Sequence, residues 1–175
     1  MQGTAAPRDE GHPRDAIAAF YDRSVREVFA YFHRATAGNR QLAEDLTQET
    51  FEACVHAARR GEPDALTMRW LIGVARHKLV DHYRRHSREE RKLSLVWNRS
   101  TEAAPLPFDI TSAVAMAALA ELSAEHRLVL VLRYLDDLPV AEVATLMGRS
   151  TGATESLLVR ARRALSESLE DSRDA

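Results

Sequence analysis

Two short stretches carry residue types whose spacing could do chemistry, and in both the chemistry is phosphate binding. Between positions 76 and 92 stand Arg76, Lys78, Arg84, Arg85, Arg88, Arg91 and Lys92, against only Asp81, Glu89 and Glu90. Arg160, Arg162 and Arg163 form a second basic cluster. The whole chain of 175 residues nevertheless carries a formal net charge of −2. Such a balance argues against a protein that grips nucleic acid by bulk charge alone. It points to contact with DNA at two places, with another component supplying much of the affinity.

Other reactive residues do not assemble. His82 and His86 are four apart in a basic stretch, with His77 and Cys54 elsewhere. A metal site needs at least three converging ligands, so no metal is expected. The sequence has no phosphate-binding glycine loop, no nucleophile motif and no cofactor signature, so an enzyme is not the expectation. A lone cysteine allows no internal disulfide. The longest apolar stretch, Ala113 to Leu122, is too short to span a bilayer. The first residues have no apolar core and read as a disordered leader, 1–14, rather than a signal peptide. A cytoplasmic protein is the default.

The elements that position these residues read as helices throughout, because Ala, Leu, Arg and Glu dominate. A first helix is expected from Asp15 to Ala35, with Ile17, Phe20, Val25, Val28, Phe29 and Phe32 as its apolar set. Gly38 breaks it and Asn39 caps a second helix, from about Arg40 to Arg60. Leu42, Ala43, Leu46, Thr50 and Cys54 share one face of that helix; Asp45, Gln48, Glu49, Glu52 and His56 share the other. A third helix, from about Leu66 to Arg88, turns Leu71, Ala75, Leu79 and Tyr83 inward and His77, Lys78, Arg84, Arg85 and Arg88 outward. Periodicity then fades over 94–112, which reads as a linker. Four shorter helices come after it, with Ser123 as one N-cap and Pro139 in a first turn.

The segment VAEVATLMGRSTGATESLLVRARRAL has helix-turn-helix anatomy. Ala144 is small where two helices would cross. Gly148 suits a turn that needs positive φ, and Ser150 can cap the next helix. Val143, Leu146, Thr154, Leu158 and Leu165 fall inward. The outward face, with Ser150 and Thr151 at its start and Glu155, Ser156, Arg160 and Arg163 along it, would enter a major groove. Leu157 lies beside the inward face.

Three ordered stretches, LAEDLTQETFEACVHA, RWLIGVARHKLVDHYRR and the long run from Leu119 to Leu165, resemble a bacterial RNA polymerase sigma factor of the sigma-70 family. The small extracytoplasmic-function type fits best. The resemblance implies an all-α chain of two small helical domains joined by a flexible linker. Residues 15–93 would bind the polymerase clamp and help open the minus-10 region. Residues 113–172 would read the minus-35 element and lie against the polymerase flap. Clamp docking falls on Asp45, Gln48 and Glu49, whose row of carboxylate, amide and carboxylate also suits a basic helical partner. Minus-10 contact falls on His77, Lys78, Arg84, Arg85 and Arg88, with the loop from Arg60 to Leu66 completing the pocket. The family usually has Asn seven residues after the tryptophan, Trp70, where this chain has His77. Histidine can stack on a base and make one hydrogen bond, but cannot repeat a two-sided amide pairing. Minus-35 contact falls on Ser150, Thr151, Glu155, Ser156, Arg160 and Arg163, although basic residues often occupy the positions held here by Glu155 and Leu157. The implied partners are core RNA polymerase, promoter DNA and an anti-sigma factor. Two linked modules also permit a closed state in which the DNA faces are hidden. The competing reading is a stand-alone helix-turn-helix regulator with an N-terminal sensing module.

Overall fold

The structure, a computed structural model, describes residues 13–62, 65–91 and 112–174. Residues 1–12, the loop tip at 63–64 and most of the expected linker lie outside the described residues, as do the side chains of 88–91. Regular structure among the described residues is entirely helical: α1 (Pro13–Ala35), α2 (Arg40–Arg59), α3 (Met68–Arg91), α4 (Ala113–Glu121), α5 (Ala124–Leu130), α6 (Val140–Met147) and α7 (Thr151–Asp174). Helix α1 begins inside the expected leader, at Pro13, a residue whose fixed φ suits a first turn.

Local chemistry sets most boundaries. The Asn39 side chain accepts from the Leu42 amide at 3.1 Å and starts α2. Ser112 and Ser123 cap α4 and α5 in the same way. Gly148 closes α6 in the left-handed conformation, φ 64°. The end of α4 is capped from a distance. The Arg127 guanidinium donates to the carbonyls of Leu119, Ala120 and Leu122 at 2.8, 2.7 and 3.0 Å. A cation at a helix C-terminus satisfies carbonyls that have no intrahelical partner.

One difference from the expected elements is the end of α5. The helix widens there into a single π turn over Val131–Leu135. The Asp136 amide donates to Val131 O, five residues back. The extra residue in the turn reorients Asp136 and Asp137 relative to the helix axis.

Helices α1, α2 and α3 pack around Phe20, Val28, Phe32, Leu46, Leu71 and Leu79, all buried. Helices α4 to α7 pack around Leu119, Leu128, Leu132, Leu157 and Leu165. The two groups join through α3, which packs on α5 and α6 with Val80 and Tyr83 buried, so the buried apolar residues form one cluster. Polar contacts cross the same boundary. Asp136 Oδ2 accepts from Arg76 Nε at 3.0 Å and from Tyr31 Oη at 3.2 Å, and its side chain is only 4% exposed. Burial pushes the Asp136 carboxyl above its usual range, against the opposing pull of Arg76. Burial and the adjacent Asp136 charge raise the Tyr31 phenol well above its ordinary value. The Arg84 guanidinium lies over the Gly148 turn, where an added Cβ would stand 2.7 Å from Nη2.

The modules are therefore closed on one another, yet the closure does not hide both of the faces expected to meet DNA. Thr151, Gly152, Glu155, Ser156 and Arg163 remain exposed along α7. What the contact engages is α3.

Candidate nucleic-acid interface

The face on α3 begins at its first turn, where the Trp70 amide donates to Thr67 Oγ1 at 3.3 Å. Trp70 is half-buried and packs against the core on its inner side. Its outer side lines an open groove of about 610 Å³ with Arg69, Gly73, Val74 and His77. His77 is exposed, and its Nδ1 lies 2.8 Å from Gly73 O. A carbonyl only accepts, so Nδ1 carries a proton in this contact.

The remaining basic residues do not form one continuous track. Lys78 is half-buried, and its Nζ pairs with Glu49 Oε2 of α2 at 3.3 Å. Arg84 and Arg85 are both exposed, and the Arg84 guanidinium reaches over the Gly148 turn. The Arg88 side chain lies outside the described residues. The His82 imidazole is kept below its usual pKa by burial first, then by His86, stacked at 5.9 Å, and by Arg85. Among the described residues no three His, Cys, Asp or Glu side chains converge as a metal site.

On α2, Asp45 and Gln48 are exposed and Glu49 is half-buried. Asp45 accepts from Gln41 at 3.1 Å, and Gln48 donates to Glu52 at 2.9 Å. These pairs one turn apart are exposed and hold the side chains only loosely. Phe51 is buried, but it also floors an apolar groove of about 700 Å³ between α1 and α2. Val25 and Phe29, expected in the core, are only half-buried and line this groove. Tyr21 stands over it, 45% exposed and edge-on to Phe51 at 4.8 Å. Gln48 borders both the polar row and the groove. The missed signal is the run of Tyr21, Val25 and Phe29 at helical spacing, which extends the apolar stripe of α1 beyond what its core needs.

Cys54 is also clearer in three dimensions. Its buried thiol donates to Ala65 O at 3.0 Å and is pushed up in pKa by burial. It ties down the loop that leads into α3.

On α7, Ser150 Oγ accepts from the Ala153 amide at 3.2 Å, and Arg149 pairs with Glu125 of α5 to fix the turn. Thr151, Glu155, Ser156 and Arg163 are exposed. Arg160 is half-buried, with Nε 3.3 Å from Ser156 O, and Arg163 pairs with Glu167 at 2.7 Å. Leu157 is fully buried and belongs to the core. Glu155 is thus the residue that sets the charge at the middle of the outward face.

Comparison with known proteins assigns both halves. Residues 20–89 match the family described as Sigma-70 region 2, and residues 113–165 match Sigma-70, region 4. The first match covers the part that a stand-alone regulator would need as a sensing module. The ECF RNA polymerase sigma factor SigL of Mycobacterium tuberculosis is 32% identical over 89% of this chain and 89% of its own length. The RNA polymerase sigma factor YlaC of Bacillus subtilis is 28% identical over 92% of this chain and 96% of its own. The ECF RNA polymerase sigma factor BldN of Streptomyces coelicolor is 30% identical over 94% of this chain, which spans 64% of that longer protein. A solved complex of the sigma factor RpoE with the anti-sigma factor NepR from Bartonella quintana has the same fold, with a TM-score of 0.53 at 20% identity. It covers 87% of this chain and 96% of that one.

Proposed function

The chain belongs to the sigma-70 family, among the RNA polymerase sigma factors of ECF type, and from that premise we propose how its faces divide the work. It binds core RNA polymerase and directs promoter-specific transcription initiation. Residues 15–93 form the module that docks on the clamp through Asp45, Gln48 and Glu49. The same module takes the separated minus-10 strand on α3, with His77 at a base and Arg84, Arg85 and Arg88 toward phosphates, while Lys78 is held by Glu49. Residues 113–172 read the minus-35 element through Ser150, Thr151, Glu155, Ser156, Arg160 and Arg163, and rest against the flap. The chain catalyses nothing. It lends recognition to an enzyme, in the cytoplasm where polymerase works, and an anti-sigma protein holds it in reserve, as NepR binds RpoE.

The observation that carries this reading is one chain with two separate outward faces, on α3 and on α7, in a protein of net charge −2. Neither face has the charge to hold DNA tightly alone. Tethered together on polymerase, each acts at high effective concentration. Elements about 25 base pairs apart are separated by about 85 Å of duplex at about 3.4 Å per pair. The chain between Arg91 and Ala113 extends to at most about 75 Å, enough with the modules themselves to bridge that distance. Reading both elements at once therefore requires the α3–α5 contact to part.

Asp45→Arg tests the docking assignment. The exposed charge is reversed without touching the core, so the far-ultraviolet spectrum and melting temperature should be unchanged while capture of core polymerase is lost. Undiminished capture would overturn the assignment.

A further inference from the structure

Tyr31 of α1 and Arg76 of α3 converge on a single oxygen atom. Tyr31 Oη and Arg76 Nε both donate to Asp136 Oδ2, at 3.2 and 3.0 Å. Both donors stand on the first module, and the carboxylate comes from the second. The phenol is buried with its ring edge-on to Phe32 at 5.2 Å, and Arg76 follows the buried Ala75 on a helix against which α1 packs. The first module's own packing therefore carries both donors. Among the described residues, Arg76 pairs with no acid of its own module. A guanidinium and a hydroxyl aimed at one point make a seat for an anionic oxygen. Asp136 is an exchangeable occupant of it. Its side chain is buried, and burial holds its carboxyl above the usual range in spite of Arg76. Desolvation thus offsets much of the attraction, so another anion can replace it. The seat also lies beside the proposed DNA face: His77, the next residue of α3, is exposed about 100° further round the helix.

We propose that Tyr31 and Arg76 seat one phosphodiester of the minus-10 strand, and that Asp136 fills this seat as an internal stand-in while the modules are closed. This rests on the reading of α3 as the minus-10 face and adds a site to it. A carboxylate and a phosphodiester offer the same two donors an anionic oxygen, so one must leave before the other binds. In the free chain the seat is filled, and apparent affinity falls with the fraction of molecules that are open. Polymerase, by holding the modules apart for two promoter elements, withdraws Asp136 and gives the seat to DNA. The contact reads no base; it fixes where the strand lies on α3.

The free chain is tested with the single-stranded minus-10 segment of a start site mapped for this factor. Asp136→Asn removes the charge of the stand-in and should raise affinity for that strand about tenfold. Adding Arg76→Ala to Asp136→Asn should cancel the gain, in a protein left with no unpaired carboxylate at the boundary. Inorganic phosphate at constant ionic strength should not displace the strand; displacement would make the seat a site for free phosphate and overturn its assignment to DNA. Holoenzyme reconstituted with core polymerase is then tested on forked DNA, each minus-10 phosphodiester replaced in turn by a neutral methylphosphonate. Wild type should lose about tenfold at one linkage. The double variant should show that loss on the unmodified fork and lose nothing more at that linkage. Tyr31→Phe should lose about threefold, at the same linkage alone. No gain in free Asp136→Asn, a gain that survives Arg76→Ala, or a double variant as sensitive as wild type at every linkage overturns the seat while leaving the minus-10 reading in place. A wild-type holoenzyme that binds equally well to a fork lacking the minus-10 strand overturns that reading and the seat with it.

Discussion

Helices α3 and α7 are both 24 residues long and both carry a face proposed to meet DNA, yet they are held in opposite ways. Helix α7 packs chiefly on α4, α5 and α6 of its own module, and its outward side is left open. Helix α3 is packed on two sides: α1 and α2 on one, α5 and α6 on the other. Its polar residues are correspondingly divided. Arg76 goes to Asp136 and Lys78 to Glu49, while Arg84, itself exposed, lies over the Gly148 turn. The groove at Trp70, Gly73 and His77 stays open, as does Arg85. A basic helix is thus not a basic surface until the partners of each cation have been counted. Breaking the contacts particular to α3 should affect stability and DNA binding together, whereas changes on α7 should affect DNA reading alone.

The largest effect is expected at Asp136. Asp136→Ala removes the shared acceptor of Arg76 and Tyr31 inside the boundary between modules. Arg76 is partly exposed and can recover some solvation, so the loss should be about 2–4 kcal/mol rather than the upper end for a buried pair. Asp137→Asn is the control, because Asp137 stands at φ 49°, a left-handed conformation that asparagine tolerates and alanine does not. Its side chain is 96% exposed and its pair with Arg133 is loose at 3.4 Å, so a change within about 0.5 kcal/mol is expected. Urea midpoints of the two variants measure the contrast. Equal losses would mean that the boundary contact contributes nothing particular.

That adjacent pair also marks where the sequence stops being readable. Asp136 and Asp137 are the same residue type in one turn, and no local rule separates the 4% exposed side chain from the 96% exposed one. The difference comes from the π turn before them and from Arg76 and Tyr31, far away in the chain. Elements governed by local chemistry were readable: the Asn39, Ser123 and Ser150 caps, the left-handed Gly148, and the inward positions of Leu46, Leu79 and Leu165. The candidate faces were readable as faces, because periodicity separates inward from outward. The division of each face was not. Glu49 and Lys78 stand on different helices and were read as parts of two surfaces, but they pair with each other. The apolar groove under Tyr21 was hidden because Val25 and Phe29 satisfy the same periodic pattern as core residues.

On α7 the sharpest change is Glu155→Gln. A carboxylate can accept from a cytosine amine but cannot donate, whereas the amide can do both and suits adenine. The side chain is exposed and outside the core, so stability should be unchanged within about 0.5 kcal/mol. Preference at one base pair of the minus-35 element should shift by about 1–2 kcal/mol, read from transcription of a library randomised there. A shift spread evenly over several positions would show that Glu155 acts through phosphate repulsion and not by reading a base.

The smallest effect separates two cations on α3 itself. Arg85 is exposed, whereas Lys78 already faces Glu49 at 3.3 Å. A cation that meets a phosphate releases condensed counterions, and on single strands each such contact contributes about 0.7 to the slope of log affinity against log salt. Arg85→Ala should therefore flatten the slope for forked DNA by about that amount when measured between about 50 and 200 mM salt. Lys78→Ala should leave the slope nearly unchanged, because wild-type Lys78 is engaged by a carboxylate and releases few ions from DNA. Equal flattening by the two variants would mean that the Glu49 pair opens on DNA, and that α3 offers the continuous basic track its sequence suggests.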